Sequence, residues 1–235
     1  LAVITNIGLD HTQFLGDTLD KIAFEKAGII KPDTPVVIGE TTSETKPVFT
    51  EVAKNRNAEI IFVEDKFFQD LPSDLKGTYQ IKNKRTVLSA IEQMQKKGWK
   101  ISDNNIKAGL LNVIKNTNLR GRWDVLGHDP LIIADTAHNP HGLVEVAKQL
   151  NEQSYNQLHL VLGFVNDKDV TSILNFFPKK ATYYFCEPDV PRKYSIDELY
   201  KIIPEEIKDK HFFDSVYKAL NAAKNNAKTH DLIYI

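Results

Sequence analysis

Short apolar runs alternate along this chain with segments whose apolar positions recur at helical spacing, and that rhythm predicts an α/β protein with parallel strands. Leu1-Ala2-Val3-Ile4-Thr5 is apolar and β-branched and reads as a buried strand. Gly8 breaks it, Asp17-Thr18 reads as a helix start and Gly28 as its stop. Inside that helix Leu19, Ile22 and Ala23 form an apolar stripe, and Lys26 falls on the same stripe. Strands are expected over residues 35–39 and 59–63, with a helix over residues 48–55 between them. From Asn83 onward, Val87, Leu88, Ile91 and Met94 recur at helical spacing until Gly98, and a short helix is expected over residues 104–114.

The polar stretch Asn116-Thr117-Asn118 suits a linker, and after it the rhythm restarts. A strand over residues 131–134 precedes a helix with Asn139 as cap and Pro140 in its first turn, with Leu143, Val144, Ala147 and Leu150 inward. Strands over residues 159–162 and 182–186 follow, then a helix capped by Asp214-Ser215 with Val216, Ala219, Leu220 and Ala223 inward. The expectation is two α/β units, residues 1–117 and 118–235. Both ends, Leu1 and Asp231-Leu232-Ile233-Tyr234-Ile235, read as strands, so the sequence is expected to be a piece of a longer polypeptide, truncated at the end of its second unit.

Charge narrows the function classes. The formal net charge is −1, which offers no basic field for nucleic acid. No apolar run is long enough to cross a bilayer. The single cysteine, Cys186, lies in an apolar run and reads as a core residue, which fits a cytoplasmic protein. There is no Gly-x-Gly-x-x-Gly after a strand, no Gly-Lys-Ser/Thr, no cysteine pair and no Gly-x-Ser-x-Gly. Dinucleotide oxidoreduction, a P-loop within these residues, a zinc ribbon and a hydrolase elbow are therefore not supported.

Two clusters carry candidate chemistry. In the first, Asp10 and His11 follow the opening strand, and Lys26 lies on the inward stripe of the helix behind them. An inward lysine must be paired, abnormally ionised or modified. Its plain alternatives are a cation at a helix C-terminus and a snorkelling side chain. The second cluster, Asp135-Thr136-Ala137-His138-Asn139-Pro140, stands where a parallel strand ends and a helix begins, the usual ligand edge of an open α/β sheet. An Asx turn plus a helix cap accounts for Asp135 and Asn139 equally well. Arg120-Gly121-Arg122 suits phosphate oxygens or a solvated loop. Asp167-Lys168-Asp169 suits a helix start or a ligand rim. Gly77-Thr78-Tyr79-Gln80 and Asn83 open the long helix and could face a nucleotide.

Taken in order, Ile7-Gly8-Leu9-Asp10-His11-Thr12, Leu15-Gly16, Glu25-Lys26-Ala27-Gly28-Ile29, Tyr79-Gln80-x-x-Asn83, Gly121-Arg122, Asp135-x-Ala137-His138-Asn139-Pro140 and Gly163-x-x-x-Asp167-Lys168-Asp169 resemble the folylpolyglutamate synthase/dihydrofolate synthase family of the Mur ligase superfamily. The resemblance implies the C-terminal part of a P-loop-type ATPase domain followed by a Rossmann-like α/β domain with a mostly parallel sheet. It implies an ATP- and Mg2+-dependent ligase that adds L-glutamate to dihydropteroate or folate through an acyl phosphate, a monomer with small-molecule substrates only. Lys26, as a carbamate, and His11 match catalytic magnesium ligands. Asn83, Arg122, Asp135 and His138 match nucleotide contacts, Asp135 at the ribose. Arg120 stands where the family usually has proline. The family's P-loop falls before Leu1, so this chain alone is not expected to be a competent synthase. A UDP-muramoyl amino-acid ligase and a non-catalytic nucleotide-binding fragment are the alternatives.

Overall fold

The computed structural model describes residues 1–9 and 12–235, with residues 12 and 13 given by backbone only. Their contacts fall into two units, Leu1–Leu119 and Arg120–Ile235. The first is built on three parallel strands in the order β1 (Ala2–Ile4), β2 (Val36–Ile38), β3 (Ile60–Phe62). Helices α1 (Thr12–Leu15) and α2 (Leu19–Ala27) carry the chain from β1 to β2, and α3 (Thr45–Asn55) carries it from β2 to β3. A parallel pair needs such crossovers because no tight turn can join strands running the same way. Central β2 is buried at every position, which is why Val36-Val37-Ile38 shows no polar alternation. Ile4, Ala23, Ala27, Ile30, Val36, Ile38, Phe49 and Ala53 pack on one face, and Val37, Ile61 and Val63 on the other.

Three helices follow, α4 (Gln80–Lys96), α5 (Asp103–Leu111) and α6 (Val113–Thr117). Two expectations need correction here. Helix α4 starts one turn before Asn83, and its apolar recurrence is not its buried face: Val87 is exposed and Leu88, Ile91 and Met94 are half-buried, while Gln80, Thr86, Ser89 and Gln93 are buried. Small polar groups allow a close approach at this point. A Cβ on Gly39, just past β2, would lie 2.5 Å from the Thr86 hydroxyl. Moreover, the stretch at 116–118 is not an open linker: Thr117 ends α6, and Asn118 adopts a left-handed conformation (φ 54°) as its C-cap. Asparagine tolerates this better than most residues.

The second unit is a six-stranded sheet in the order β4-β5-β9-β6-β7-β8. Its strands are β4 (Asp124–His128), β5 (Leu131–Ala134), β6 (Leu158–Gly163), β7 (Thr182–Cys186), β8 (Lys210–Phe213) and β9 (Leu232–Tyr234). All neighbours are parallel except the β4–β5 hairpin. The helices are α7 (Pro140–Asn151), α8 (Val170–Leu174), α9 (Ile196–Ile202) and α10 (Val216–Asn226). Strict alternation divides the sheet between two cores. Ile133, Leu160, Tyr183, Phe185, Leu232 and Tyr234 face α7, α8 and α9, whereas Ile132, Val161, Tyr184, Cys186 and Ile233 face α10. On α7 Leu143, Ala147 and Leu150 are buried as expected, but the valine that joins them is Val146, and Val144 points to solvent.

The closing apolar run is not an edge. Strand β9 lies inside the sheet, between β5 and β6. Its start is fastened by a buried polar network. The Asp231 carboxylate accepts N–H bonds from Lys228 (2.7 Å) and Gln157 (3.1 Å), and the His159 ring lies 3.4 Å from it and 3.1 Å from the Tyr184 hydroxyl. Burial opposes ionisation of Asp231, but those N–H groups and the His159 ring outweigh it and hold the carboxyl below its ordinary value.

Candidate functional site

In the second unit the carboxyl ends of β5, β6, β7 and β9 open on a cavity of about 380 Å3. Asp135, His138, Phe164, Lys168, Cys186 and Pro188 are among the residues that line it. This is the edge where open parallel sheets take ligands, because strand ends and helix N-termini converge there. Helix α7 starts as its sequence predicts. Asn139 accepts the Gly142 N–H at 2.9 Å, and Pro140 occupies the first turn.

Two loops are fastened to each other beside this cavity. One Asp135 oxygen accepts the Ala137 N–H at 2.9 Å, closing an Asx turn, and the other accepts the Trp123 N–H at 2.7 Å. The Gly121 carbonyl accepts the Thr136 N–H at 3.0 Å and the Thr136 hydroxyl at 3.1 Å. Gly121 needs to be glycine: its φ is +69°, and a Cβ would meet the Thr136 methyl at 2.6 Å. Arg122, half-buried, donates from Nη1 to the Gly121 carbonyl at 3.0 Å and to the Thr136 hydroxyl. The preceding arginine does something else, since the Arg120 Nε lies 2.7 Å from the Asp124 carboxylate. His138 is exposed, its Nδ1 at 2.9 Å from the Thr136 carbonyl.

The structure thus brings Arg122, Asp135 and His138 into one neighbourhood around Thr136. Thr136 lies within a singled-out motif, but no pattern in the sequence ties it to Gly121. Trp123 carried no signal at all. Around Asp167-Lys168-Asp169 the three residues divide their work. Asp169 caps α8, accepting from the Ser172 N–H and hydroxyl, Asp167 pairs with Arg192 at 3.1 Å, and Lys168 lines the cavity. Both the helix-start and the rim readings therefore hold. Cys186 is buried, and burial pushes its thiol up to about 12, so it is a packing residue without nucleophilic character.

In the first unit, Asp10 and His11 lie outside the described residues. Lys26 sits in the last turn of α2, and the expectation of an inward lysine is corrected: Ile22, Ala23 and Ala27 are buried, but Lys26 is exposed. The helical angle is as predicted, yet Ile22 meets the core one turn earlier and Lys26 does not. Asn83, in the first turn of α4, is exposed and donates to the Gln80 side chain at 3.0 Å. Among the described residues no three His, Cys, Asp or Glu side chains converge as a metal site. An ammonium does not ligate a cation, so the described residues as they stand do not build a magnesium site. Also among them, no helix is long and apolar enough to cross a membrane.

Residues 121–235 match the family described as Mur ligase, glutamate ligase domain. Over its whole length the chain is 27% identical to the dihydrofolate synthase/folylpolyglutamate synthase of Escherichia coli K12, of which it spans 56%. It is similar to the solved structure of E. coli FolC in complex with DHPP and ADP, with a TM-score of 0.83 and 28% identity, covering 99% of this chain and 57% of that one. A bifunctional folylpolyglutamate synthase/dihydrofolate synthase solved with Mn, AMPPNP and L-glutamate bound matches at 25% identity and TM-score 0.81, covering 100% of this chain and 58% of that one. The chain spans little more than half the length of each.

Proposed function

We propose that the chain belongs to the folylpolyglutamate synthase/dihydrofolate synthase family of Mur ligases, and that it serves the ATP-dependent ligation of L-glutamate to dihydropteroate or folate. In that reaction ATP phosphorylates a carboxylate, the glutamate amine attacks the acyl phosphate, and phosphate leaves as the amide forms. The difficulty is electrostatic, since a polyanion must approach a carboxylate. On this reading Arg122 faces the phosphates and Asp135 and His138 the nucleoside side, while Asn83, within the first unit, is a nucleotide contact in its own right. Lys26 as a carbamate, together with His11, would hold Mg2+; carbamylation replaces an ammonium by two oxygens on an anion. The exposed position of Lys26 leaves its amine accessible to carbon dioxide. The observation that carries the reading is the fastened Arg122–Asp135 neighbourhood at the ligand edge of a sheet inside the Mur ligase match.

No Gly-Lys-Ser/Thr occurs in these 235 residues, so the chain by itself is expected to bind nucleotide without turning over. Calorimetry with ADP and Mg2+ tests binding, and its loss in Asp135→Ala and Arg122→Ala supports the assignment. Absence of binding by the unaltered chain would sink it. Radiolabelled glutamate incorporation into dihydropteroate by the chain alone would overturn the expected inactivity. Intact mass spectrometry at neutral pH should show an increase of about 44 Da that Lys26→Ala abolishes.

A further inference from the structure

Among the described residues, five other than glycine have a left-handed backbone: Asp33, Asn57, Asn118, His230 and Trp123. The first four are types whose short polar or imidazole side chains are found there several times more often than average. Trp123 is not. Its φ is +52°, and its bulky side chain is 4% exposed, packed in the core that Ile133 and Leu143 share. A strained bulky residue persists only where its surroundings over-determine it. Two features do so here. The indole is locked in the core, and the backbone N–H is held at 2.7 Å by the Asp135 carboxylate. On the other side of Arg122, Gly121 is also left-handed, its N–H on the Asp124 carboxylate at 3.2 Å and its carbonyl on Thr136. Arg122 is therefore suspended between two left-handed residues, each fixed from outside its own loop or by burial.

The geometry points to Trp123 and Asp135 as a positioning pair for Arg122: the carboxylate holds the strained Trp123 N–H, and this sets the direction in which the guanidinium leaves the loop. Asp135 then acts on a phosphate-bearing ligand through Arg122, in addition to any contact of its own. This inference rests on the reading above that Arg122 faces the phosphates of a nucleotide. The Ala137 and Trp123 N–H groups sit on separate oxygens of Asp135, and asparagine would replace one of these acceptors by an NH2 donor.

A double-mutant cycle in the full chain tests the pair, with ADP–Mg2+ and adenosine as probes. Asp135→Asn and Arg122→Ala are each expected to weaken ADP binding by about tenfold or more, and the double variant to be within about threefold of the weaker single variant. Multiplicative losses would overturn the pairing. Adenosine affinity should change far less than ADP affinity in Asp135→Asn, and an equal loss for both probes would reduce Asp135 to a nucleoside contact. Should Asp135→Asn fail to fold, Thr136→Val replaces it. That variant removes the hydroxyl that bonds Arg122 and the Gly121 carbonyl while keeping shape, with the same non-additivity expected against Arg122→Ala. Amide hydrogen exchange supplies a readout that needs no ligand. The Trp123 N–H should exchange at least about tenfold faster in Asp135→Asn while the Leu160 amide is unchanged. If the unaltered chain binds no ADP, the proposed function falls, and unchanged Trp123 exchange then overturns the pairing independently.

Discussion

Arg122 and Lys26 are both cations that the sequence marks for anionic or metal chemistry, and the molecule treats them in opposite ways. Arg122 is half-buried, held by its own loop and by Thr136, between two left-handed residues whose positions other elements fix. Lys26 stands in the last turn of a nine-residue helix, exposed, above a stripe that is already buried without it. Binding that orders flexible groups loses affinity to the ordering, whereas a preorganised group does not. The Arg122 guanidinium is thus held in place before any ligand arrives, while Lys26 stands exposed to solvent.

The sharpest way to break this contrast is to undermine the support beneath the arginine loop. Leu143, 4% exposed, shares its core with Trp123. Leu143→Ala is expected to cost about 2–5 kcal/mol, read as a lower urea midpoint by Trp123 fluorescence. Next comes Gly121→Ala, which forces a side chain onto φ +69° and into the Thr136 methyl, at a cost of about 1–3 kcal/mol. A fall in melting temperature with weaker ADP binding checks it; an unchanged protein would show the loop to be loose.

A pH effect separates the scaffold from the site. The Asp231 carboxyl is held below its ordinary value of 3.8 in the folded state. A depressed folded value means that its contribution is complete above the unfolded value and disappears as pH falls through the folded one. Resistance of the second unit to urea should fall in that acid window, and Asp231→Asn should lower stability at pH 7 and flatten the acid limb. The smallest effect belongs to Lys26→Ala, expected to leave stability within about 0.5 kcal/mol of the unaltered chain. A loss of several times that would show Lys26 to be a structural residue and erase the contrast with Arg122.

Elements with one buried side were legible because their period is written in adjacent residues. Strand β5, the Asn139 cap and Pro140 of α7, and the buried run of β7 stand where the pattern puts them. Strand β4 was not legible. It is the exposed antiparallel edge, with Val125 and Leu126 facing solvent and a register shift between Val125 and Gly127, so its alternation is erased. The helical spacing of α4 was legible, but its polar buried face, Gln80, Thr86, Ser89 and Gln93, was not. Gly39 leaves room for Thr86, whose hydroxyl would lie 2.5 Å from a Cβ there, a contact that the spacing of apolar residues does not announce.

The residues Arg122, Asp135 and His138 could be singled out from order and spacing, since motif chemistry is local. That Asp135 also holds Trp123, twelve positions earlier, and that Gly121 fits only against Thr136, were decided by the fold. The sequence by itself determined helix, strand and cap, which depend on neighbours a few residues apart. Tertiary structure alone decided that Lys26 would be exposed, that the final apolar run would lie inside the sheet and that Arg122 would be held from both sides, because each depends on what packs opposite a residue, and no periodicity encodes that.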